Sequence, residues 1–281
     1  MNKRIIFLDV DGTLTSPQGD VSQCVKNAIK EARLNGHYVF LCTGRNKSGI
    51  RSLLDIGFDG IICSAGGYIE MDNKMLYESF LSMDDLKEAR EIFGRNHVHY
   101  NLEATLQTYQ DDGMNELFIG ASTKEGKEMN SEMQRLMQQQ KEKFNILPLD
   151  EFDKNPVEIH KICFIALNEK DLEEPIRLLS DKFIFIVHEL FSKDTINGEI
   201  IIKGTNKGNA VRFIIDYLEL SLDDTIGFGD SMNDLEMIKT CYYGVVMGNG
   251  SEELKKYAST ICESVDDDGV YHEFKRLQLC K

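Results

Sequence analysis

The sequence predicts an α/β protein: a doubly wound, Rossmann-like core built on a parallel sheet and interrupted by an inserted α/β domain. Short apolar segments alternate with amphipathic helical segments near both ends of the chain, which is typical of strands buried on both faces of a parallel sheet. A segment between them alternates strictly between apolar and polar residues, which is typical of an antiparallel strand with one exposed face. The length of 281 residues accommodates one large domain or two modest ones.

The N-terminal part begins with three predicted strands, at residues 5–10, 38–42 and 60–64. Apolar residues recur at helical spacing between the first two strands, and Asn35-Gly36 is a typical end for that helix. This alternation of strand and helix is the βαβ pattern of a parallel sheet.

The middle of the chain has a different pattern. Ser82 and Asp85 are spaced as in a capping box, which predicts that a helix begins there. Residues 98–108 alternate and predict an antiparallel strand that is half exposed. His97 and His99 have the spacing of two metal ligands, but no further Cys or His lies nearby in the sequence, so a solvated strand face is the favoured interpretation.

The remaining elements follow from the same patterns. Further helices are predicted over about 123–143 and 170–180, from Asn206, from Asn233 and over 251–258. Further strands are predicted near 157–167, 182–188, 198–202, 225–230, 243–248 and 260–264. Because the buried-strand pattern returns near residue 198, we expect the core to comprise 1–82 and 191–281, and the insertion 83–190.

Charge and cysteine usage exclude several classes of protein. The chain carries 32 Lys and Arg against 47 Asp and Glu, and its net charge of −15 argues against a nucleic-acid partner. No apolar segment is long enough to span a membrane, and the N-terminus lacks the pattern of a signal peptide. The seven cysteines are scattered without a CxxC pair, which argues against a disulfide framework or a zinc site and fits a cytoplasmic location.

Polar residues gather where the predicted strands end, and ligands bind at the carboxyl ends of strands in open α/β sheets. Asp9 and Asp11 directly follow a buried strand, where two carboxylates are costly unless a positive group neutralises them. Mg²⁺ meets that need, because it binds carboxylates, water and a substrate phosphate through oxygen. Taken singly, each group also has a structural explanation as a turn or a helix cap. Because these groups stand at one edge of the predicted sheet and follow one another in this order along the chain, a functional site is favoured over separate turns and caps.

Four motifs, taken in order, resemble those of the haloacid dehalogenase-like hydrolases. They are Asp9-x-Asp11-Gly12-Thr13, Thr43-Gly44-Arg45, Lys207-Gly208 and Gly229-Asp230-Ser231-Met232-Asn233-Asp234. The insertion between the second and third motifs looks like the large cap domain of the Cof-type phosphatase subgroup, class IIB. The resemblance covers essentially the whole chain. In one departure, Ser64-Ala65-Gly66-Gly67 stands where many relatives have Asn-Gly-Ala.

The resemblance implies a Mg²⁺-dependent phosphatase that hydrolyses small phosphomonoesters, such as sugar phosphates, through an aspartyl-phosphate. Asp9 would be the nucleophile and Asp11 the general acid and base. The implied metal-binding groups are the carboxylates of Asp9 and Asp230, the main-chain carbonyl of Asp11 and, directly or through water, Asp234. The implied phosphate-binding groups are Thr43, Lys207, Asn233 and the main-chain amides of Asp11 and Gly44.

Several alternatives stay open at this point. Lys203 competes with Lys207 for the cationic role, and Lys207 is favoured because it starts a helix after a loop. Arg45 has two interpretations, contact with the substrate or an ion pair with an acid. A phosphohexomutase and a non-catalytic metabolite-binding protein are alternative functions. The insertion shows no cluster of arginines to hold a second phosphate, and every motif residue is present.

The expected partner is a small phosphorylated metabolite, with neither nucleic acid nor a membrane involved, and the sequence does not distinguish a monomer from a dimer. The insertion is expected to act as a lid over the Asp9 edge of the core sheet, with hinges near 80–83 and 188–192. Such a lid would exclude water from the phosphorus and select the leaving group.

Overall fold

In a computed structural model of the chain, the structure describes residues 3–16, 20–114, 117, 145–187 and 196–281. The chain divides into two compact units. The first unit comprises Met1–Arg45, Ile50–Glu78 and Thr205–Lys281, and the second comprises Asn46–Gly49 and Ser79–Gly204. The second unit thus extends to Gly204, past the predicted boundary near 190. The assignment of these segments as a core and a closing cap stays a prediction.

The described strands and helices follow in chain order. The strands are β1 (Ile5–Leu8), β2 (Tyr38–Cys42), β3 (Gly60–Cys63), β4 (Tyr68–Met71), β5 (Lys74–Glu78), β6 (His99–Glu103), β7 (Thr108–Gln110), β8 (Ile146–Pro148), β9 (Lys161–Ala166), β10 (Phe183–Val187), β11 (Ile196–Ile202), β12 (Thr225–Gly229), β13 (Tyr243–Val246) and β14 (Thr260–Ile261). The α-helices are α1 (Gln23–Leu34), α2 (Met83–Arg95), α3 (Leu149–Lys154), α4 (Lys170–Leu179), α5 (Lys207–Leu218), α6 (Leu235–Thr240), α7 (Glu252–Lys255) and α8 (Gly269–Arg276). Short 3₁₀ helices span Lys47–Ile56, Ser64–Gly66, Leu222–Asp224, Met232–Asp234 and Val265–Asp267.

The first unit is built on an eight-stranded sheet with the order β14-β13-β12-β1-β2-β3-β4-β5. The six strands from β14 to β3 are parallel, and β1 lies among them between β12 and β2. Leu8 at the end of β1 is opposite both Phe228 and Leu41. This register brings the residues that follow β1, β2 and β12 to one edge of the sheet, which is where the predicted site residues stand.

Helices cover both faces of this sheet, as a doubly wound fold requires. Even-numbered residues of β1, such as Ile6, belong to an apolar cluster with α1 and α8. Odd-numbered residues of β1, such as Phe7, belong to a second cluster with α5 and α6. The continuous apolar run of β1 is thus buried on both sides, and the predicted α/β fold class is confirmed.

A β-hairpin at one end of the sheet is not among the predicted elements. Strands β4 and β5 run antiparallel to their neighbours and are joined by Asp72 and Asn73, whose φ angles are 53° and 59°. Two consecutive residues with positive φ are the signature of a type I′ hairpin turn, for which Asp and Asn are well suited. The dipeptide is therefore the sequence signal for this hairpin.

The second unit is built on a six-stranded sheet with the order β10-β11-β9-β6-β7-β8. Helices α2, α3 and α4 contribute apolar side chains to a cluster on one face of this sheet. Ser82 caps the N-terminus of helix α2: its Oγ accepts a hydrogen bond from the Asp85 amide at 3.1 Å, as the predicted cap requires.

Two predicted features of this sheet are wrong. The strand predicted over 98–108 is a hairpin, in which β6 and β7 pair from Glu103 and Thr108 outward. The alternation predicts that its polar face is exposed, whereas Asn101 and Glu103 are 3% and 1% exposed. The alternation of residues gives the two faces of a strand, but it does not reveal that the polar face is also covered.

The strand predicted at 198–202 lies in a different sheet from the expected one. As β11 it spans Ile196–Ile202 and runs antiparallel between β9 and β10 in the six-stranded sheet. A continuous apolar run indicates burial on both faces, and it carries no information about which sheet the strand joins.

The predicted helix at 123–143 and the predicted hinge at 188–192 lie outside the described residues. None of the helices within the described ranges combines the length and the apolar character needed to cross a membrane. All seven cysteines are free thiols, and all but Cys24 are buried.

Candidate active site

The loop after β1 presents the first motif. The Val10 carbonyl accepts hydrogen bonds from the amides of Leu14 and Thr15, both at 2.9 Å, so the chain turns back immediately after the strand. Asp9 continues the sheet pairing, because its amide donates to the Phe228 carbonyl at 3.0 Å. The Asp9 side chain is therefore held by the sheet itself, and it is 3% exposed.

Gly12 is required by a close approach between this loop and the Asp230 side chain. Its φ is +79°, and a Cβ added there would lie 2.2 Å from Oδ2 of Asp230. A side chain at position 12 would thus displace a carboxylate of the fourth motif.

We expect Gly12→Ala to reduce kcat/KM for a phosphate ester at least about tenfold, because Asp230 must move away from its position. Gly36→Ala is the matched control: Gly36 has a φ of +89°, but an added Cβ there would meet no described atom within 4 Å. Both variants carry the left-handed backbone cost of about 1–2 kcal/mol. Equal losses of activity in both variants would show that the close approach to Asp230 does not matter.

Lys207 and three carboxylates form the centre of the site. Nζ of Lys207 lies 2.6 Å from Oδ1 of Asp9 and 2.6 Å from Oδ1 of Asp234. Carboxylate oxygens of Asp9, Asp230 and Asp234 lie within 4.8 Å of one another. The Lys207 side chain is wholly buried and is positioned by Asn206, which caps α5 by accepting a hydrogen bond from the Asn209 amide at 2.8 Å.

Burial and mutual repulsion perturb these groups strongly. Burial of the carboxyl group and then the negative charge of Asp234 raise the pKa of Asp9 to about 8, although Lys207 acts in the opposite direction. Burial disfavours the Lys207 ammonium, but the charges of Asp234 and Asp9 outweigh it and raise the pKa of Lys207 well above its usual value. One ammonium among three carboxylates leaves this cluster with an excess of negative charge.

The fourth motif is held in place by its own backbone. Oδ2 of Asp234 accepts hydrogen bonds from the amides of Asp230 and Ser231, at 2.9 and 3.2 Å. Oδ1 of Asn233 accepts a hydrogen bond from the Ser231 hydroxyl at 3.0 Å and lies 3.5 Å from Nζ of Lys207. Asp234 thus shapes the loop that carries Asp230 and also contacts Lys207.

Arg45 of the second motif forms an ion pair with Asp11. Its Nε lies 3.0 Å from Oδ2 and its terminal nitrogen 2.6 Å from Oδ1 of the Asp11 carboxylate. The Arg45 amide also donates to the Thr43 hydroxyl at 3.1 Å. Of the two interpretations of Arg45, the structure favours the ion pair with an acid, and contact with the substrate stays a prediction. Thr43 and Gly44 are both buried beside it.

The structure also settles where the competing lysine lies. Lys203 is exposed, whereas Lys207 contacts Asp9 and Asp234. His97 and His99 belong to no cluster of candidate metal ligands in the described ranges, and Nδ1 of His99 lies 3.0 Å from Oδ1 of Asp111.

Asn249 is a site residue that the sequence analysis missed. Its Nδ2 donates to the Gly12 carbonyl at 2.8 Å, and its Oδ1 accepts from the Val265 amide at 2.8 Å. Two residues later, the Ser251 amide donates to the Asp230 carbonyl at 2.8 Å. Asn249 follows β13, a further parallel strand with its carboxyl end at the same edge, and that position was the available signal.

The donor set fits a hard divalent cation. Three buried carboxylates within 4.8 Å offer only oxygen ligands, and their excess negative charge favours a bound cation. The structure brings the carboxylates of Asp9, Asp230 and Asp234 together, and their role as metal ligands stays a prediction. The Asp11 carboxylate is instead engaged by Arg45, which leaves its main-chain carbonyl as the predicted ligand.

Residues 6–274 match the family model of the haloacid dehalogenase-like hydrolases. The chain belongs to this family. The resemblance seen in the four motifs is confirmed, and so is the prediction of a phosphoric monoester hydrolase of this family, which generally uses a divalent metal. The roles given to individual residues stay predictions.

Known proteins similar to this haloacid dehalogenase-like hydrolase cover at least 95% of its length. The YkrA protein of Bacillus subtilis (strain 168) is 28% identical over 289 residues, which cover 100% of both chains. The 5-amino-6-(5-phospho-D-ribitylamino)uracil phosphatase YitU of the same organism is 27% identical, over 95% of this chain and 94% of its own. The structure of the subclass IIB sugar phosphatase BT4131 is 20% identical with a TM-score of 0.77, covers 99% of this chain and 100% of its own, and supports the fold.

Proposed function

We propose that this haloacid dehalogenase-like hydrolase is a Mg²⁺-dependent phosphatase that hydrolyses small phosphomonoesters, sugar phosphates among them, through an aspartyl-phosphate. The observation that carries the proposal is the buried cluster in which Lys207 contacts Asp9 beside Asp230 and Asp234. Such a cluster suits an anionic phosphoryl group, because charge must be stabilised while the group is transferred. The substrate class is supported by two similar proteins, the subclass IIB sugar phosphatase BT4131 and the 5-amino-6-(5-phospho-D-ribitylamino)uracil phosphatase YitU.

The first step is the attack of the Asp9 carboxylate on phosphorus. The bond between phosphorus and the ester oxygen breaks, and its electron pair leaves with the alkoxide, which Asp11 protonates. In the second step Asp11 takes a proton from water, and the resulting hydroxide displaces Asp9 from phosphorus and releases inorganic phosphate. The two steps return both carboxyl groups to their starting states.

The other residues of the cluster hold charge and position. The Lys207 ammonium contacts the Asp9 carboxylate and can neutralise the charge of a phosphoryl oxygen there. Thr43 and Asn233 would donate hydrogen bonds to the other phosphoryl oxygens. The Arg45 fork fixes the Asp11 carboxylate by two hydrogen bonds, so that it holds one orientation between its two proton transfers. Mg²⁺ held by Asp9, Asp230, Asp234 and the Asp11 carbonyl would supply further positive charge to the phosphoryl group.

Release of inorganic phosphate from an aryl phosphate, with and without Mg²⁺, tests the proposed function. We expect turnover that depends on Mg²⁺ and a product ratio of one phosphate per aryl alcohol. A purified, folded protein that binds phosphate esters without releasing phosphate would contradict it. Inter-conversion of hexose 1-phosphate and 6-phosphate in the same preparation would identify a mutase instead.

Binding of the metal has an expected signature in stability. Because the metal binds the folded state and relieves the repulsion among the carboxylates, Mg²⁺ at about 100 times its Kd should stabilise the protein by about 2.7 kcal/mol. Thermal unfolding with and without Mg²⁺ measures the effect as a rise in Tm. Asp230→Asn should lose most of that rise, whereas Asp216→Asn, at an exposed position on α5, should keep it. An equal rise in both variants would place the metal elsewhere.

We also propose a cytoplasmic location, supported by the seven free thiols, and measurable by fractionation of cells that produce the protein.

A further inference from the structure

Asn249 joins two loops of the first unit through one side chain. Its Nδ2 donates a hydrogen bond to the Gly12 carbonyl at 2.8 Å, and its Oδ1 accepts one from the Val265 amide at 2.8 Å. Both polar atoms of the side chain are thus used, although the residue is exposed. Its contribution to the structure therefore lies in these two hydrogen bonds rather than in packing.

The bond to Gly12 holds a glycine whose backbone nothing else restricts on that side. Gly12 has a φ of +79° and lacks the Cβ that limits rotation in other residues. Its amide donates to the Thr15 carbonyl at 2.8 Å, which fixes the peptide plane that it shares with the Asp11 carbonyl. Asn249 fixes the next peptide plane. With both planes held, the direction of the Asp11 carbonyl is set.

The segment that begins at Asn249 also holds the backbone of Asp230. The Ser251 amide donates to the Asp230 carbonyl at 2.8 Å, and a Cβ added to Gly250 would lie 2.9 Å from that carbonyl oxygen. Residues 249–251 thus contact the loop after β1 and the loop after β12 at the same time. These loops carry two of the predicted metal-binding groups, the carbonyl of Asp11 and the carboxylate of Asp230.

We propose that Asn249 is a positioning residue for the metal site, which fixes the Asp11 carbonyl relative to the Asp230 carboxylate. This inference rests on the proposed function, because it concerns the Mg²⁺ of that function. Mg²⁺ demands near-ideal octahedral geometry, so ligands supplied by two different strands must be held at a fixed separation. Hydrogen bonds to the ligands from surrounding residues provide that order, and the loss of one typically weakens metal binding about 10–100-fold.

Calorimetric titration of the full-length protein with MgCl₂, in the absence of substrate, tests this role. We expect Asn249→Ala to raise the Kd of Mg²⁺ about 10–100-fold. The Kd of Ca²⁺, measured in the same way with CaCl₂, should rise less, because Ca²⁺ accepts irregular arrangements of oxygen ligands. A general disturbance of the fold would instead weaken the binding of both ions alike.

Asn249→Asp separates positioning from electrostatic attraction. Its carboxylate can still accept the hydrogen bond from the Val265 amide, but it has no hydrogen to donate to the Gly12 carbonyl. It also adds a negative charge beside the loop that carries Asp11, and that charge alone would tighten the binding of a cation. We expect the Kd of Mg²⁺ to rise as in Asn249→Ala, against the direction that the added charge favours.

Asn35→Ala is the matched control. Nδ2 of the exposed Asn35 also donates to a main-chain carbonyl of the first unit, that of Leu279, at 2.9 Å. Asn35 precedes β2, whereas the predicted site residues follow the strands, so it stands at the opposite edge of the sheet. Its Kd for Mg²⁺ should equal the native value. Thermal unfolding without metal shows how far each replacement disturbs the fold.

A native Kd of Mg²⁺ in Asn249→Ala, an equal rise for Mg²⁺ and Ca²⁺, or tighter binding of Mg²⁺ by Asn249→Asp would each overturn the inference. Hydrolysis of an aryl phosphate is measured on the same samples. Hydrolysis by the native protein together with an unchanged Kd in Asn249→Ala defeats this inference alone. Binding of Mg²⁺ that depends on Asn249, without hydrolysis, defeats the proposed function alone, and a native protein that binds no Mg²⁺ defeats both.

Discussion

Asp9→Asn is expected to lower kcat at least about 10⁴-fold, the largest loss of any single change in this chain, since removing a nucleophile disables both chemical steps. The amide has nearly the same shape as the carboxylate, and its Oδ1 can still accept the hydrogen bond from Lys207 that now spans 2.6 Å. The fold should therefore be retained. The measurement is single-turnover and steady-state hydrolysis of one phosphate ester by native and variant protein.

The control for this change is Asp55→Asn, which makes the same substitution at an exposed position of the first unit. It should leave kcat within about twofold of the native value, because surface changes away from a site have small effects. Substantial hydrolysis by Asp9→Asn, with a Tm equal to that of the native protein, would remove Asp9 from the role of nucleophile. A covalently bound phosphate detected by mass spectrometry on Asp9 in the native protein would support that role independently.

Lys207→Met is expected to impair both stability and activity. The change leaves Asp9 and Asp234 buried without their cation, which costs about 3–5 kcal/mol when one partner of a buried ion pair is removed. It also removes a positive charge beside the nucleophile, for which a loss of about 10²–10³ in kcat is expected. Denaturant unfolding and steady-state kinetics measure the two effects.

Lys203→Met is the matched control for Lys207→Met. Lys203 stands four positions earlier in the chain and is exposed, so its replacement should change neither quantity measurably. Mg²⁺ should partly restore the stability of Lys207→Met, because a bound cation neutralises the same carboxylates. If Lys203→Met were the variant that lost activity, the assignment of the cationic role would have to be reversed.

Much of the core could be predicted from local patterns. A strand at 5–10 is predictable because an unbroken apolar run is typical of a strand covered on both faces. Strand β1 lies there, and helices do cover both of its faces. The residues after such strands could be placed at one edge, since parallel strands share their carboxyl ends. Asp9 and Asp230 are predicted to lie near each other for that reason alone.

Features that depend on three-dimensional neighbours could not be predicted in the same way. The apolar run of β11 predicts that the strand is buried but not which sheet it joins. The polar residues of β6 give no sign that their face of the strand is covered. The pairing of Arg45 with Asp11 also depends on the course of two loops. Asn249 stands in a loop after β13 without a motif to mark it, so only its position at the sheet edge points to it.

The contact between Asp9 and Lys207 joins positions 198 residues apart. Closing so long a stretch of chain is entropically expensive and is typical of late events in folding. During synthesis on a ribosome, the acidic loop after β1 emerges long before the lysine that neutralises it and before β12, the strand that pairs beside β1. A nascent chain therefore has no assembled active site until the segment that carries Lys207, Asp230 and Asp234 has been made, and recovery of activity on refolding should report the docking of that segment beside β1.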